Sequence, residues 1–256
     1  MRERLGLEGY WHGKLELNPA IDINAPAIIE DDFYVPLPWN LQIRHLRYNS
    51  DEVELSGTVK PLQNQNFREI QRKFSEGILT LERDFFIFPE KYKAVAERKL
   101  RAFIVFEGSN YKTDVEINDN IVGSHEGGHL PFEFEVTQFI QADGNKLQVV
   151  IDNLRRRHAI PQEQFNWMNY GGIYRPVYLE WRCPVFLKRV VVFPGRDTDG
   201  WYADVTVELS DPVNAVVELT INSGSEKIVR RLEIKRGAGK VRMKVQNPQV
   251  WEHGKG

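Results

Sequence analysis

The sequence predicts an all-β protein made of two β-sandwiches in series, and three observations carry that prediction. Apolar residues recur with period two along most of the chain, the signature of half-buried strands. Clusters of Asn, Asp, Gly and Pro separate these segments, as turns between strands require. Helical periodicity is weak throughout.

Taken in order, residues 67–74 and 89–99 each allow a short helix. Residues 100–106 are apolar on both faces, which suits a strand inside a sandwich. In residues 111–117, Thr113, Val115 and Ile117 share one face, and Lys112, Asp114 and Glu116 the other. Asn118-Asp119-Asn120 then reads as a hairpin turn, because Asn and Asp tolerate positive φ. Thr137 is placed to cap a turn over residues 138–142. Leu147, Val149 and Ile151 repeat the alternation, as do Val177, Leu179 and Trp181.

A second series of strands begins near Val185, with segments at 188–193, 201–209, 215–221, 228–234 and 241–245. Asp211-Pro212, Asn222-Ser223-Gly224 and Gly237-Ala238-Gly239 separate them as turns. Short strands at this spacing predict an immunoglobulin-like sandwich. The boundary falls near residues 182–184, giving domains 1–182 and 183–256. Only about five strands fit after it, where such a sandwich needs about seven. The second domain is therefore expected to be incomplete, with unpaired edges and an open core.

Composition excludes several function classes. Hydrophobic residues make up 41% of the 256 residues and charged residues 27%, a globular balance. The net charge is −2, so no basic field exists to attract nucleic acid. Cys183 is the only cysteine, which rules out an internal disulfide and a Cys-based zinc cluster. The opening residues hold no signal-peptide core and no apolar run spans a bilayer, so the expected compartment is the cytoplasm. Neither a cofactor nor a membrane partner is expected.

One motif points elsewhere. His125-Glu126-Gly127-Gly128-His129 fits the H-E-x-x-H pattern of zinc proteases. That chemistry needs a helix, so that both imidazoles reach one metal. Two central glycines, each costing about 1 kcal/mol in a helix, and Pro131 just beyond argue against one. The segment is expected to be a loop between strands, with no metal site.

Several segments together carry a family resemblance. Residues 103–111, Phe-Ile-Val-Phe-Glu-Gly-Ser-Asn-Tyr, resemble a strand ending in Phe-x-Gly-x-x-Tyr. Residues 115–123 resemble a Val-x-(apolar)-Asn-Gly-x-x-Val-Gly hairpin, and residues 125–134 a His-x-Gly-Gly-(apolar)-x-Pro-Phe loop. Residues 144–147 resemble a Gly-x-Asn-x-Leu strand entry, and residues 169–179 an Asn-Tyr-x-Gly-Ile-x-Arg-x-Val-x-Leu signature. Leu7-Glu8-Gly9-Tyr10-Trp11 and residues 35–40, Val-Pro-Leu-Pro-Trp-Asn, fit at the start. In this order they resemble the N-terminal sugar-binding domain of glycoside hydrolase family 2, of the β-galactosidase and β-glucuronidase type. Residues 247–251, Asn-Pro-Gln-Val-Trp, are similar to a segment late in the family's immunoglobulin-like domain.

The resemblance implies a jelly-roll, galactose-binding-like sandwich followed by part of the immunoglobulin-like one. Glycines 127, 128, 171 and 172 would let tight loops cross the sandwich ends, and Trp11, Trp39, Phe132 and Phe134 would be core aromatics. It implies a non-catalytic region of a β-glycosidase. The two Glu residues that break the glycosidic bond stand on a barrel of ~250 residues, and the acid/base follows an Asn in the family. No Asn-Glu dipeptide occurs here, so no catalytic residue is expected in this chain.

The resemblance further implies carbohydrate and the catalytic barrel of the same parent protein as partners, with self-association of the parent as an option. In the family, a loop before the Asn-Tyr-x-Gly-Ile signature supplies an Asp to substrate hydroxyls. Asn166 holds the matching position, a departure that removes the charge. Trp167 and Tyr170 would offer an apolar face to a sugar or pack at a junction. His125 and Arg175 would contact sugar or bond within the loop, and Asn169 opens the signature. Arg155, Arg156 and Arg157 form a solvated loop or meet a uronic acid carboxylate. A free-standing carbohydrate-binding or interaction module is the alternative reading.

Overall fold

A computed structural model of the chain describes residues 3–17, 28–38, 76–154, 156–160, 169–223, 226–246 and 248. It divides into two compact units, Met1–Arg182 and Cys183–Gly256. The described residues are almost all strand, and every strand pair is antiparallel. No helix among them is long and apolar enough to cross a membrane. The helix expected at 67–74, Trp39, and most of residues 247–251 lie outside the described residues.

The first unit holds strands β1 (Glu3–Gly6), β2 (Gly9–Leu17), β3 (Ile28–Leu37) and β4 (Gly77–Phe85), then helix α1 (Pro89–Ala96). β5 (Arg101–Phe106), β6 (Ser109–Asn110), β7 (Lys112–Ile117), β8 (Asn120–Glu126) and β9 (Phe132–Glu135) follow. β10 (Asn145–Asp152), β11 (Gly172–Ile173) and β12 (Val177–Arg182) complete it. A six-stranded sheet runs in the order β3-β2-β4-β10-β7-β8, and a four-stranded sheet in the order β1-β12-β5-β9.

The two sheets share one core, which makes the unit a sandwich. Leu79, Val115 and Val149 from the six-stranded sheet and Ile104, Phe106 and Leu179 from the four-stranded one belong to a single buried cluster. Register produces this. Val149 lies opposite both Val115 and Leu81, and Ile151 opposite Leu79, so β10 places its apolar face beside its neighbours' apolar faces. Trp11 is fully buried and its indole donates to the Leu7 carbonyl oxygen at 2.7 Å. Phe132 and Phe134 pack at the rim of the same core.

The two faces of β12 are both buried, and the second face carries charge. Glu180 accepts from Arg182 at 2.7 Å and from Arg4 at 3.1 Å. Arg182 also donates to Glu133 at 2.6 Å and lies 4.2 Å from the Phe103 ring centre. Each buried charge thus meets an opposite one, which offsets its desolvation. At the edge, Arg101 holds Glu135 through a 2.9 Å bond.

Local signals explain the remaining elements. α1 starts with Pro89 in its first turn, where a missing N–H costs nothing, and buries Val95. Asn118 and Asp119 take positive φ in the β7–β8 turn, as their sequence predicts. The turn expected after Thr137 forms at 137–139, while the Thr137 hydroxyl accepts from the Ala102 backbone N–H at 3.0 Å and ties the end of β9 to β5.

The second unit holds β13 (Leu187–Asp197), β14 (Gly200–Leu209), β15 (Ala215–Ser223), β16 (Glu226–Ile234) and β17 (Ala238–Val245). They form a β13-β14-β17 sheet and a β15-β16 pair. Val205, Val207, Leu232, Ile234 and Met243 make its core. Gly237-Ala238-Gly239 is not all turn, because β17 starts at Ala238. The reversal is Arg236-Gly237, both at positive φ, a two-residue hairpin loop. A side chain at Gly237 would collide with the Asp211 carbonyl oxygen.

This core has an open side. Val190 and Val192 lie opposite the buried Val207 and Val205, on the same face of the sheet. Yet they remain 49% and 52% exposed.

Truncating Ile104 to Ala leaves a hole between the two sheets of the first unit, and guanidinium denaturation is expected to show a loss of about 2–5 kcal/mol. A second prediction concerns acid. The Arg101 hydrogen bond is the main influence on Glu135 and holds its carboxyl below the ordinary 4.5, against the opposing effect of burial. That stabilisation is present above about 4.5 and is lost as the pH falls through the lowered value. Below this point the wild type should lose more stability than Glu135→Gln, as read by urea midpoints.

Candidate functional site

The loops named by the sequence meet at one end of the first unit's sandwich. β6 pairs with β11, setting Asn110 opposite Gly172 and Ser109 opposite Ile173. This brings the 108–111 turn, the 127–129 loop and the 169–175 segment together.

Three buried asparagines hold the junction. Asn110 Nδ2 donates to Asn169 Oδ1 and to the Tyr170 carbonyl oxygen, each at 2.8 Å. Asn169 Nδ2 donates to the Asn153 carbonyl oxygen. Asn153 Nδ2 returns a bond to the Asn169 carbonyl oxygen at 3.2 Å, and its Oδ1 accepts from the Gly77 N–H at 2.8 Å. A carboxamide offers both donors and acceptors, so it can pair backbone groups where the ladder ends. The neighbours leave no room for more: a side chain at Gly171 would run into Asn153, and one at Gly128 into Asn110.

The expected site residues take distinct places around this junction. Asn169 is buried, 4% exposed, and bonds to Asn110 and Asn153. Tyr170 beside it is 46% exposed. Arg175 is exposed and reaches the carbonyl oxygens of Glu107 and His129 at 3.4 and 3.3 Å. Tyr174 donates its hydroxyl to the Gly128 carbonyl oxygen, fixing the same loop from the other side. Asn166, Trp167 and Arg155 lie outside the described residues. Arg156 pairs with Asp152.

His125 is a packing residue in this geometry. It lies in β8 opposite Thr113, so the H-E-x-x-H segment is a strand end and a loop, not the helix that zinc chemistry needs. Its ring stacks on Phe132 at 4.0 Å between centres, and Phe132 stacks on Phe106 at 4.8 Å. Among the described residues, no group of three or more His, Cys, Asp or Glu converges to hold a metal.

Asn110 and Asn153 had no role assigned from sequence. Their signal is faint: each is a polar residue at an end of an apolar strand segment, and their partners lie 59 and 16 residues away. Chemically the cluster holds chain in place. Carboxamides do not ionise near neutral pH, so they are poorly suited to act as acid or base.

Comparisons with known proteins bear on this geometry. Residues 32–183, more than half of the chain, match the sugar binding domain of glycosyl hydrolases family 2. A β-galactosidase of Thermoanaerobacter pseudethanolicus is 30% identical over 135 residues, covering 52% of this chain and 17% of that protein. A β-glucuronidase of Bacteroides fragilis is 27% identical over 234 residues, covering 83% of this chain and 32% of that protein. The solved β-glucuronidase of Bifidobacterium dentium, complexed with coumarin-3-O-glucuronide, is similar with a TM-score of 0.70 at 20% identity. That likeness covers 99% of this chain and 44% of the other, and shows a shared fold. The chain therefore spans less than half the length of each of these relatives.

The geometry separates the two signature residues energetically. Asn169→Ala leaves the Asn153 carbonyl oxygen without this donor in a buried place, so unfolding measurements should show a loss of about 1–3 kcal/mol. Arg175→Ala removes two long surface bonds and an exposed guanidinium 5.4 Å from the Tyr174 ring centre, and should change stability by no more than about 1 kcal/mol.

Proposed function

Because the chain belongs to glycosyl hydrolase family 2 through its sugar binding domain, we propose that it is a non-catalytic part of a larger β-glycosidase. The parent would act on β-glycosides of the glucuronide or galactoside kind, as the names of its relatives suggest. The observation that carries this reading is coverage: the match is to the accessory domain, and the chain accounts for 17% and 32% of two relatives' lengths. The chemistry of a retaining glycosidase, two carboxyl groups about 5–5.5 Å apart, would then be supplied by polypeptide outside these residues.

The two units have separate tasks in this reading. The first is the jelly-roll domain, whose asparagine junction sets the loops at one end. Tyr170, exposed beside that junction, is placed to meet a glycoside or the catalytic barrel, with Asn166 and Trp167 as its sequence neighbours. The second is an immunoglobulin-like sandwich. Its half-exposed core valines, Val190 and Val192, favour further polypeptide covering that face. Carbohydrate and the barrel of the same protein are the partners proposed.

The test is an assay of the purified chain with chromogenic β-glucuronide and β-galactoside. No hydrolysis above the uncatalysed rate is expected. Turnover that persists through repurification contradicts the accessory role.

A further inference from the structure

A second site stands apart from the asparagine junction, on the outer face of the six-stranded sheet. There β2, β4 and β10 line an open cavity of about 610 Å³ with Tyr10, His12, Glu82, Arg83, Asp84 and Lys146. Register assembles it: His12 lies opposite Glu82, and Lys146 opposite Asp84. The alternation that buries Trp11 turns Tyr10 and His12 outward, and Tyr10 is 71% exposed.

The polar groups are already positioned. Glu82 accepts from Lys146 at 2.9 Å and from Gln148 at 2.6 Å. Burial pushes the Glu82 carboxyl up, but Lys146, Gln148 and His12 together hold it below its ordinary value, so it is a carboxylate at neutral pH. Arg83 donates to the Tyr10 carbonyl oxygen at 3.2 Å, fixing that residue's backbone, while its Nε finds no acceptor among the described residues.

We propose that this face binds a neutral saccharide, with a pyranose ring against Tyr10 and its hydroxyls bridging Glu82, Asp84 and Lys146. A sugar ring has an apolar C–H face and a rim of hydroxyls, each both donor and acceptor. The cavity matches that pattern with one open aromatic and interleaved fixed acceptors and donors. Its size falls within the ~300–1,000 Å³ of small-molecule sites. Glu82 and Asp84 outnumber Lys146 on this face, and Arg83 alternates onto the other one opposite Leu147, so no excess positive charge favours a uronate. The site performs no bond cleavage; it retains carbohydrate. It does not depend on the accessory role proposed above, because all of its residues lie within this chain.

The experiment is a ¹H–¹⁵N NMR titration of the 256-residue chain with cellobiose, lactose and glucuronic acid. Cellobiose or lactose should shift the amides of Tyr10, His12, Glu82, Arg83, Asp84 and Lys146. Tyr10→Ala should raise Kd about tenfold, and Glu82→Gln should also weaken binding, each with the spectral dispersion of the folded protein. Three results overturn the proposal: no shifts at these residues with either disaccharide, shifts centred on residues 169–175 instead, or glucuronic acid binding as tightly as the neutral sugars.

Discussion

The set of hydrogen bonds linking Asn110, Asn153 and Asn169 is the constraint on which the loop end of the first unit depends. The strand ladder stops there, and buried backbone groups need partners from elsewhere. Each carboxamide supplies them across a long sequence distance: Asn153 reaches Gly77, and Asn110 reaches Tyr170. Fixing these chains leaves Gly128 and Gly171 without space for a side chain, and it sets Tyr170 at the surface. The signature around Asn169 is therefore first a structural device. Whatever this end presents to a ligand or partner is presented by neighbours of the cluster.

The junction holds because the sandwich beneath it is rigidly registered. A one-residue slip of β10 would carry Leu147, Val149 and Ile151 out of the core, so the apolar pattern fixes where Asp152 ends and Asn153 begins. The four-stranded sheet adds a second restraint. Its β12 buries Leu179 on one side and Glu180 on the other, and the latter is tolerable because Arg4 and Arg182 both donate to it. The second unit differs. Its core is smaller, and it leaves apolar residues of β13 half open.

How much of this was legible in the sequence varied with the distance over which each feature is determined. β5, β7, β10 and β12 announce themselves, because their alternation is local and their turns carry Asn, Asp or Gly. β2 is fainter: it buries Trp11, Gly13 and Leu15 in strict alternation, but the glycine interrupts the apolar run. β6 and β11 are two residues each, too short for any pattern. β13 extends past residue 193 because it pairs with β14 down to a two-residue hairpin loop, Asp197 opposite Gly200, across Pro194 and Gly195, which hide the strand pattern. At the site, the signature around Asn169 and Tyr170 was visible, but the asparagine cluster was not, because its members are far apart in sequence. His125 was visible as a motif letter, while its stacking on Phe132 needed the β8 register to be known.

In the function proposed above, this chain frames a glycosidase site, and polypeptide outside it supplies the chemistry. The most direct measurement is a ligand-bound structure of the whole protein that carries this chain. The account predicts that the carboxylates flanking the glycosidic bond come from residues beyond these two units. It also predicts that the hydrogen bonds joining Asn110, Asn153 and Asn169 to one another and to main chain persist with ligand bound. A carboxylate pair from residues 1–256 across that bond, or Asn169 turned out to the sugar, would contradict it.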